Sequence, residues 1–287
     1  DAAPGLTVTQ TGGSTSVNEA SSGNTDTFTV VLDMQPSPSN DVVVNVTSAD
    51  TGEATVSASS LTFTSSNWDT AQTVTVTGVD EDLDDGDQTV ALTIAVDDAS
   101  SYDPYDSVSN ATVSVEVVDD DTIGFTLSGT TASVSETGST ATFTVVLDSE
   151  PTGNVVFGIS SADTGEATVS PSALTFMTSN WDTTQTVTVT GINDTATDGN
   201  QTTDVTVTVN DSSTADSAYD ALSDRTVVVT TADDDSPGFT VAASGGSTIV
   251  SEAGSTDTFT VVLNAQPTSS VVFNVSSADT GEATVST

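Results

Sequence analysis

The chain has 287 residues, and its 42 aspartates and glutamates face a single basic residue, Arg225, which gives a formal charge of −41. It contains no lysine, histidine or cysteine, which excludes thiol nucleophiles, imidazole-activated serines, Schiff-base lysines, the usual zinc sites and disulfides. Such a surface repels nucleic acids and anionic membranes, so metal cations and basic partners remain as ligands.

Internal repetition organises the sequence. Residues 48–57 (SADTGEATVS) recur unchanged at 161–170 and 277–286, and residues 67–70 (NWDT) recur at 180–183. These anchors predict one repeat over residues 1–122, a second over 123–236 and the N-terminal part of a third over 237–287. Because half a sandwich would expose open sheet edges, we expect the natural chain to continue.

Within the first repeat, apolar residues alternate with threonine and serine in short runs bounded by turn formers, which is typical of half-buried strands. The predicted strands pass through Val17, Phe28–Leu32, Val42–Val46, Leu61–Phe63, Val74–Val76, Val90–Val96 and Val113–Val117. No stretch has a helical pattern. About seven strands per repeat predict an all-β fold of tandem immunoglobulin-like β-sandwich repeats in a linear array.

Two segments need a separate interpretation. Residues 53–57 are interpreted as a short edge crossing, because a full strand there would reverse the direction of every later strand. The loops that contain Trp68 and Trp181 are expected to pack over one end of each core.

Acidic residues follow every second predicted strand. Strands that run alternately up and down would bring the ends of the first, third, fifth and seventh to one pole of each sandwich. In the first repeat, the acids at these ends are Glu19, Asp50, Asp80, Glu81, Asp82, Asp85, Asp119, Asp120 and Asp121. In the second repeat, they are Glu136, Asp163, Asp194, Asp198, Asp233, Asp234 and Asp235.

The two aspartate triplets stand where one repeat ends and the next begins. Three adjacent carboxylates repel one another unless a cation lies among them, and a dense set of oxygen ligands suits a hard ion such as Ca²⁺. We therefore predict calcium-binding poles that also set the junctions between repeats. The alternative for the triplets alone is a solvated acidic linker.

Several of these motifs together resemble the Calx-beta domain. The resemblance rests on Ser-Val-Asn-Glu at 16–19, Asp50, the strand end and loop at 79–87, and the closing Val-Val-Asp-Asp-Asp at 117–121. It implies that the glutamate after the first strand, the acids after the third and fifth strands, Asp85 and the terminal triplet hold a cluster of calcium ions. Repeat two has Asn193, Thr195 and Asn200 at positions that are acidic in repeat one, which implies fewer ions there.

The repeated blocks resemble the long arrays of large bacterial or archaeal surface proteins and adhesins more than they resemble the animal exchanger. This similarity favours a non-enzymatic segment of an extracellular, calcium-rigidified stalk or filament, which serves cell adhesion or a biofilm matrix. The expected partners are calcium ions, neighbouring repeats and other copies in a filament or surface layer, with no nucleic acid and no membrane insertion. An alternative is a glycan- or ice-binding module that uses the exposed threonine rows at 73, 75 and 77 and at 186, 188 and 190.

Overall fold

The computed structural model describes residues 3–20 and 24–286, so the outermost residues of the predicted first and third repeats lie outside the described residues. The chain forms two compact units. Unit 1 comprises Asp1–Ile123 with Asp148–Glu150, and unit 2 comprises Gly124–Leu147 with Pro151–Thr287. The division into three repeats stays a prediction.

Unit 1 is a sandwich of two β-sheets. Its strands are β1 (Leu6–Gln10), β2 (Thr15–Asn18), β3 (Thr25–Leu32), β4 (Val42–Ser48), β5 (Ala54–Val56), β6 (Ser60–Phe63), β7 (Gln72–Gly78), β8 (Gln88–Val96) and β9 (Ala111–Val118). One sheet has the order β1-β3-β7-β5 and the other the order β2-β9-β8-β4-β6. The β2–β9 pair is parallel, whereas the other pairs are antiparallel.

The alternating sequence produces the core of unit 1 directly. Phe28 in β3 pairs with Val74 in β7, and Phe28, Val30, Val74 and Val76 are all fully buried, while the threonines between them point outward. Trp68 packs against this core, as predicted. Period-two alternation therefore separates an apolar inner face from a hydroxyl-rich outer face.

Unit 2 repeats this architecture and adds a further pair of strands. Its strands are β10 (Phe125–Leu127), β11 (Thr131–Ser135), β12 (Thr140–Leu147), β13 (Val155–Ser161), β14 (Ala167–Ser170), β15 (Ala173–Phe176), β16 (Gln185–Gly191), β17 (Gln201–Val209), β18 (Arg225–Ala232), β19 (Phe239–Ala243) and β20 (Phe259–Leu263). They form the sheets β10-β12-β16-β14, β11-β18-β17-β13-β15 and β19-β20.

The β19–β20 pair is much more exposed than its counterparts. Phe239, at the start of β19, is 54% exposed, whereas the corresponding Phe125 at the start of β10 is 1% exposed. The sequence pattern is the same, but no second sheet covers the apolar side of this pair among the described residues. Burial at these positions is therefore decided by the opposing sheet and not by the strand itself.

The all-β sandwich fold is confirmed, with two refinements. The predicted first strand, through Val17, is β2, and an unpredicted strand β1 precedes it in the other sheet. The predicted edge crossing contains the short edge strand β5. Unit 1 therefore has more strands than the sequence predicted. Helical structure in the described residues is limited to single 3₁₀ turns, and no helix there has the length and apolar character needed to span a bilayer.

Candidate metal centre

The strand directions bring three acidic segments to one end of unit 1. Because β4 and β9 both pair antiparallel with β8, and β2 pairs parallel with β9, the ends of β2, β4 and β9 share one edge of their sheet. The backbone N–H of Glu19 donates to the carbonyl of Val118 at 3.1 Å, which sets Glu19 beside the triplet that begins at Asp119. We call this end the acidic pole of unit 1.

A glycine brings the other sheet to the same pole. A Cβ atom built on Gly78, at the end of β7, would lie 2.0 Å from the carbonyl oxygen of Asn18, so only glycine allows these two strand ends to pass so closely. Gly191 occupies the corresponding place in unit 2, where a Cβ atom would meet the carbonyl oxygen of Ser135 at 2.2 Å. This close approach places the loop after β7 beside the glutamate that follows β2.

Two groups of three carboxylates meet at the acidic pole of unit 1. Glu19, Asp119 and Asp121 form one group, and Glu19, Glu81 and Asp85 form the other. Within each group, one ligand oxygen from each residue lies within 4.8 Å of the other two. Glu19 is common to both groups and is therefore the hub of this pole.

The hub carboxylate is buried without a partner inside the protein. Glu19 is 0% exposed, and neither of its carboxylate oxygens accepts a hydrogen bond. Burial, the close approach of the Glu53 side chain and the charges of Glu53, Asp119 and Glu81 together raise the pKa of Glu19 from 4.5 to about 8. A buried ionised carboxylate is costly unless an opposite charge or hydrogen-bond donors compensate it.

The loop that carries Asp85 is held in shape by the triplet. The Asp119 carboxylate accepts the backbone N–H groups of Gly86 at 2.6 Å and Asp121 at 2.8 Å, while Asp87 accepts the N–H of Asp119 at 3.2 Å. Gly86 has a φ of +77°, which favours glycine at this turn. These bonds fix the carboxylates close together despite their mutual repulsion.

Unit 2 builds an acidic pole on the same scaffold. Its two groups are Glu136 with Asp194 and Asp235, and Glu166 with Asp194 and Asp198. Asp194 is common to both, so it is the hub of this pole. Glu136 is 1% exposed with an unpartnered Oε2, and burial raises the pKa of Glu136 above its ordinary value.

The supporting bonds of unit 2 match those of unit 1. The carboxylate of Asp233 accepts the N–H groups of Gly199 and Asp235, each at 2.8 Å. Asn200 accepts the N–H of Asp233 at 3.2 Å, as Asp87 does for Asp119. The amide oxygen thus reproduces the bond of the carboxylate, but without its charge.

The structure brings together only part of the predicted ligand set. The members of the four groups that the sequence predicted are Glu19, Glu81, Asp85, Asp119, Asp121, Glu136, Asp194, Asp198 and Asp235. The predicted residues outside these groups are Asp50, Asp80, Asp82, Asp120, Asp163, Asp233 and Asp234. Among the latter, Asp50 and Asp163 each accept the N–H of the glycine two residues later, at 2.8 Å, and so shape the turn before an edge strand.

Sequence reasoning missed Glu53 and Glu166. Glu166 belongs to one of the groups of unit 2, and both glutamates have a buried Oε2 without a partner. Strand direction could have identified them. The edge strand β5 pairs antiparallel with β7, so the start of β5 lies opposite the end of β7. The N–H of Val79 donates to the carbonyl of Glu53 at 2.8 Å, which confirms this juxtaposition.

The donor set fits calcium. Ca²⁺ binds carboxylate oxygens at about 2.3–2.6 Å, so two oxygens on opposite sides of one ion stand up to roughly 5 Å apart. The ligand oxygens of each group lie within 4.8 Å of one another, so one ion could contact all three. Each group supplies only oxygen ligands and a net negative charge, which are the properties that favour a hard divalent cation over a soft one.

Comparisons with known proteins give distant structural neighbours. No family model and no curated protein matches the sequence. The chain is similar to the calcium binding domain CBD12 of CALX1.1, with 15% identity, a TM-score of 0.35, and coverage of 70% of this chain and 79% of that one. It is also similar to domains 1–6 of the surface layer protein SbsC, with 13% identity, a TM-score of 0.35, and coverage of 91% of this chain and 37% of that one.

A third neighbour covers a shorter part of the chain. It is SSP-19, an MSP-domain protein like family member from Caenorhabditis elegans, with 18% identity, a TM-score of 0.26, and coverage of 38% of this chain and 97% of that one. At these identities and TM-scores, the likenesses carry no argument about function. The functional argument therefore depends on the carboxylates themselves.

Proposed function

We propose that this chain is a structural repeat segment of an extracellular, calcium-binding surface protein. In this proposal, calcium at the acidic poles rigidifies a stalk or filament for cell-surface adhesion or matrix assembly. The observation that carries it is Glu19, which is fully buried, belongs to two carboxylate groups and has no hydrogen-bond partner for either oxygen. A bound cation would neutralise this hub and the acids around it.

The repetition of the site supports a structural role. Each unit has its own acidic pole with two carboxylate groups on the same backbone scaffold. A catalytic or specific binding site usually makes one copy differ from the others, whereas a repeated staple is expected in every copy. The proposed partners are calcium ions, neighbouring repeats and other copies of the same protein.

The proposal is tested by calorimetric titration of the full chain after removal of divalent ions. We expect Ca²⁺ to bind at both poles and Mg²⁺ to bind poorly, because Mg²⁺ demands a tighter octahedron and loses water reluctantly. Ionic strength is held constant so that simple screening does not contribute. An absence of calcium binding would leave only an acidic spacer and would end the proposal.

A second function is favoured by one observation about the outer sheet faces. In unit 1 the register pairs Thr25 with Thr77, Thr27 with Thr75 and Thr29 with Thr73. In unit 2 the corresponding pairs are Thr140 with Thr190, Thr142 with Thr188 and Thr144 with Thr186. These regular hydroxyl rows would suit a glycan or an ice surface. Inhibition of ice recrystallisation and binding to a glycan array are the measurements, and a negative result in both would exclude this candidate.

A further inference from the structure

The loop that carries the hub of unit 2 also makes a main-chain contact elsewhere in that unit. We call residues 192–200, between β16 and β17, the metal loop of unit 2. Asp194 belongs to both carboxylate groups, and its Oδ1 accepts the N–H of Ala196 at 2.7 Å. The backbone immediately after the hub is therefore shaped by the hub carboxylate.

That same backbone pairs with the segment that follows β20. The N–H of Gln266 donates to the carbonyl of Thr195 at 2.6 Å, and Ala196 forms an isolated parallel β-bridge with Gln266. Both loop residues lie within two positions of Asp194. The docked segment, residues 264–267, is thus bonded to the metal loop by main-chain atoms and not by acidic side chains.

Unit 1 contains the corresponding main-chain hydrogen bond. The N–H of Glu150 donates to the carbonyl of Asp82 at 2.6 Å. Asp82 follows Glu81 as Thr195 follows Asp194, and both Glu150 and Gln266 stand before a proline, three residues after a leucine that ends a strand. The occurrence of this hydrogen bond at corresponding positions in both units indicates a feature of the repeat and not an accident of one loop.

The pairing is too small to hold the metal loop by itself. A single hydrogen bond contributes little net stability in water, and an isolated bridge has no neighbouring strand pairs to reinforce it. Without an ion, the carboxylates of Glu166, Asp194 and Asp198 repel one another across the loop. An ion bound among them would remove that repulsion and fix the position of the Thr195 carbonyl.

We propose that the edge of the metal loop at Thr195 and Ala196 is a docking surface for the turn after β20, and that calcium at Asp194 controls how firmly this turn is docked. The inference depends on the proposed calcium binding and goes beyond it, because it identifies the segment that responds to the ion. Calcium binding and docking are then coupled equilibria, so each strengthens the other.

Amide hydrogen exchange at Gln266 in the full chain tests this coupling. We expect the Gln266 amide to exchange at least about tenfold faster in excess chelator than in excess calcium, because undocking exposes this N–H to water. Asp194→Asn should remove the calcium effect. Asp182→Asn makes the same change of charge in the Trp181 loop, outside all four carboxylate groups, and should retain it.

The reciprocal experiment uses Gln266→Pro, which removes the N–H that docks. By linkage, loss of docking should lower the calcium affinity of the pole of unit 2 by the same factor by which calcium strengthens docking. The pole of unit 1 serves as an internal control. Unchanged Gln266 exchange in a sample that binds calcium by calorimetry would overturn the inference and leave the proposed function intact. Absence of calcium binding would instead remove both.

Discussion

The acidic poles of the two units share one scaffold but differ in their surrounding charge. Four acids of unit 1, Asp80, Asp82, Asp84 and Asp87, are replaced by Asn193, Thr195, Thr197 and Asn200 in unit 2. None of these eight residues belongs to a carboxylate group. Acids outside the carboxylate groups therefore differ between the two units, while the positions that form the groups are acidic in both.

The hub also differs between the two poles. In unit 1, Glu19 after β2 joins both groups, whereas in unit 2 the joining residue is Asp194 after β16. Glu136, the counterpart of Glu19, and Glu81, the counterpart of Asp194, each belong to one group only. The same scaffold thus assembles two carboxylate groups around either of two positions, and single substitutions should affect the two poles unequally.

The largest expected effect is that of calcium removal on thermal stability. Trp68→Phe leaves Trp181 to report on unit 2, and Trp181→Phe leaves Trp68 to report on unit 1. An ion present at a hundredfold excess over its Kd stabilises the folded state by about 2.7 kcal/mol, and the melting temperature of a domain of roughly 100–200 residues shifts by about 2–8 °C per kcal/mol. With two ions per pole, chelation is expected to lower each melting temperature by about 10 °C or more, as measured by tryptophan fluorescence.

Unit 1 should show the larger shift, because its four additional acids add repulsion that only the bound ions offset. The comparison is made at fixed ionic strength. Equal decreases in melting temperature for the two units would show that the four additional acids of unit 1 do not affect calcium binding. A larger decrease in unit 2 would reverse our interpretation of the two poles.

Substitution of the hubs gives the next largest effect. Glu19→Gln should weaken every calcium site of unit 1, and Asp194→Asn should do the same in unit 2, each by at least about 10–100-fold in affinity. Glu136→Gln should weaken only one of the two sites of unit 2. Calorimetric stoichiometry distinguishes these outcomes, and loss of both unit 2 sites in Glu136→Gln would contradict the assignment of Asp194 as hub.

A smaller effect is expected from pH in the absence of calcium. The pKa of Glu19 is raised from 4.5 to about 8 in the folded protein by burial and neighbouring carboxyls, so the folded state binds a proton more tightly than the unfolded state. The stability of unit 1 in chelator should therefore be highest below about pH 4.5 for this group, and should be lost as the pH rises towards 8.

Thermal melts of the Trp68 reporter between pH 5 and 8 measure this dependence. Glu19→Gln should flatten it and should raise the melting temperature in chelator at pH 8, because glutamine has no charge to bury. The same substitution lowers the melting temperature in calcium. If Glu19→Gln changed the melting temperature in the same direction in chelator and in calcium, Glu19 would not be an ion-binding hub.

The smallest effect is predicted at Asp87. Asp87→Asn should change the stability of unit 1 by less than about 0.5 kcal/mol, because Asn200 makes the equivalent bond in unit 2. Asp87→Ala removes the acceptor of the Asp119 N–H and should cost more, about 1 kcal/mol. Equal costs for the two variants in denaturant unfolding would show that charge, and not the hydrogen bond, is what this position provides.

Strand alternation and repetition in the sequence were enough to predict the sandwich. The positions of Phe28, Val30, Val74 and Val76 on the inner face follow from period two alone. Strand direction was also sufficient to predict that Glu19 meets the Asp119–Asp121 triplet at one pole. These features are local or follow from simple up-and-down connectivity, so one sequence determines them.

Only the tertiary structure decided which acids meet and which remain apart. Asp50 and Glu53 are three residues apart, yet the turn hydrogen bond of Asp50 to Gly52 directs that carboxylate into the turn, while Glu53 has a buried, unpartnered oxygen near Glu19. The exposure of Phe239 against the burial of Phe125 likewise depends on whether an opposing sheet is present. Side-chain direction in turns and burial by a second sheet are set by atoms distant in sequence, which is why composition and periodicity do not determine them.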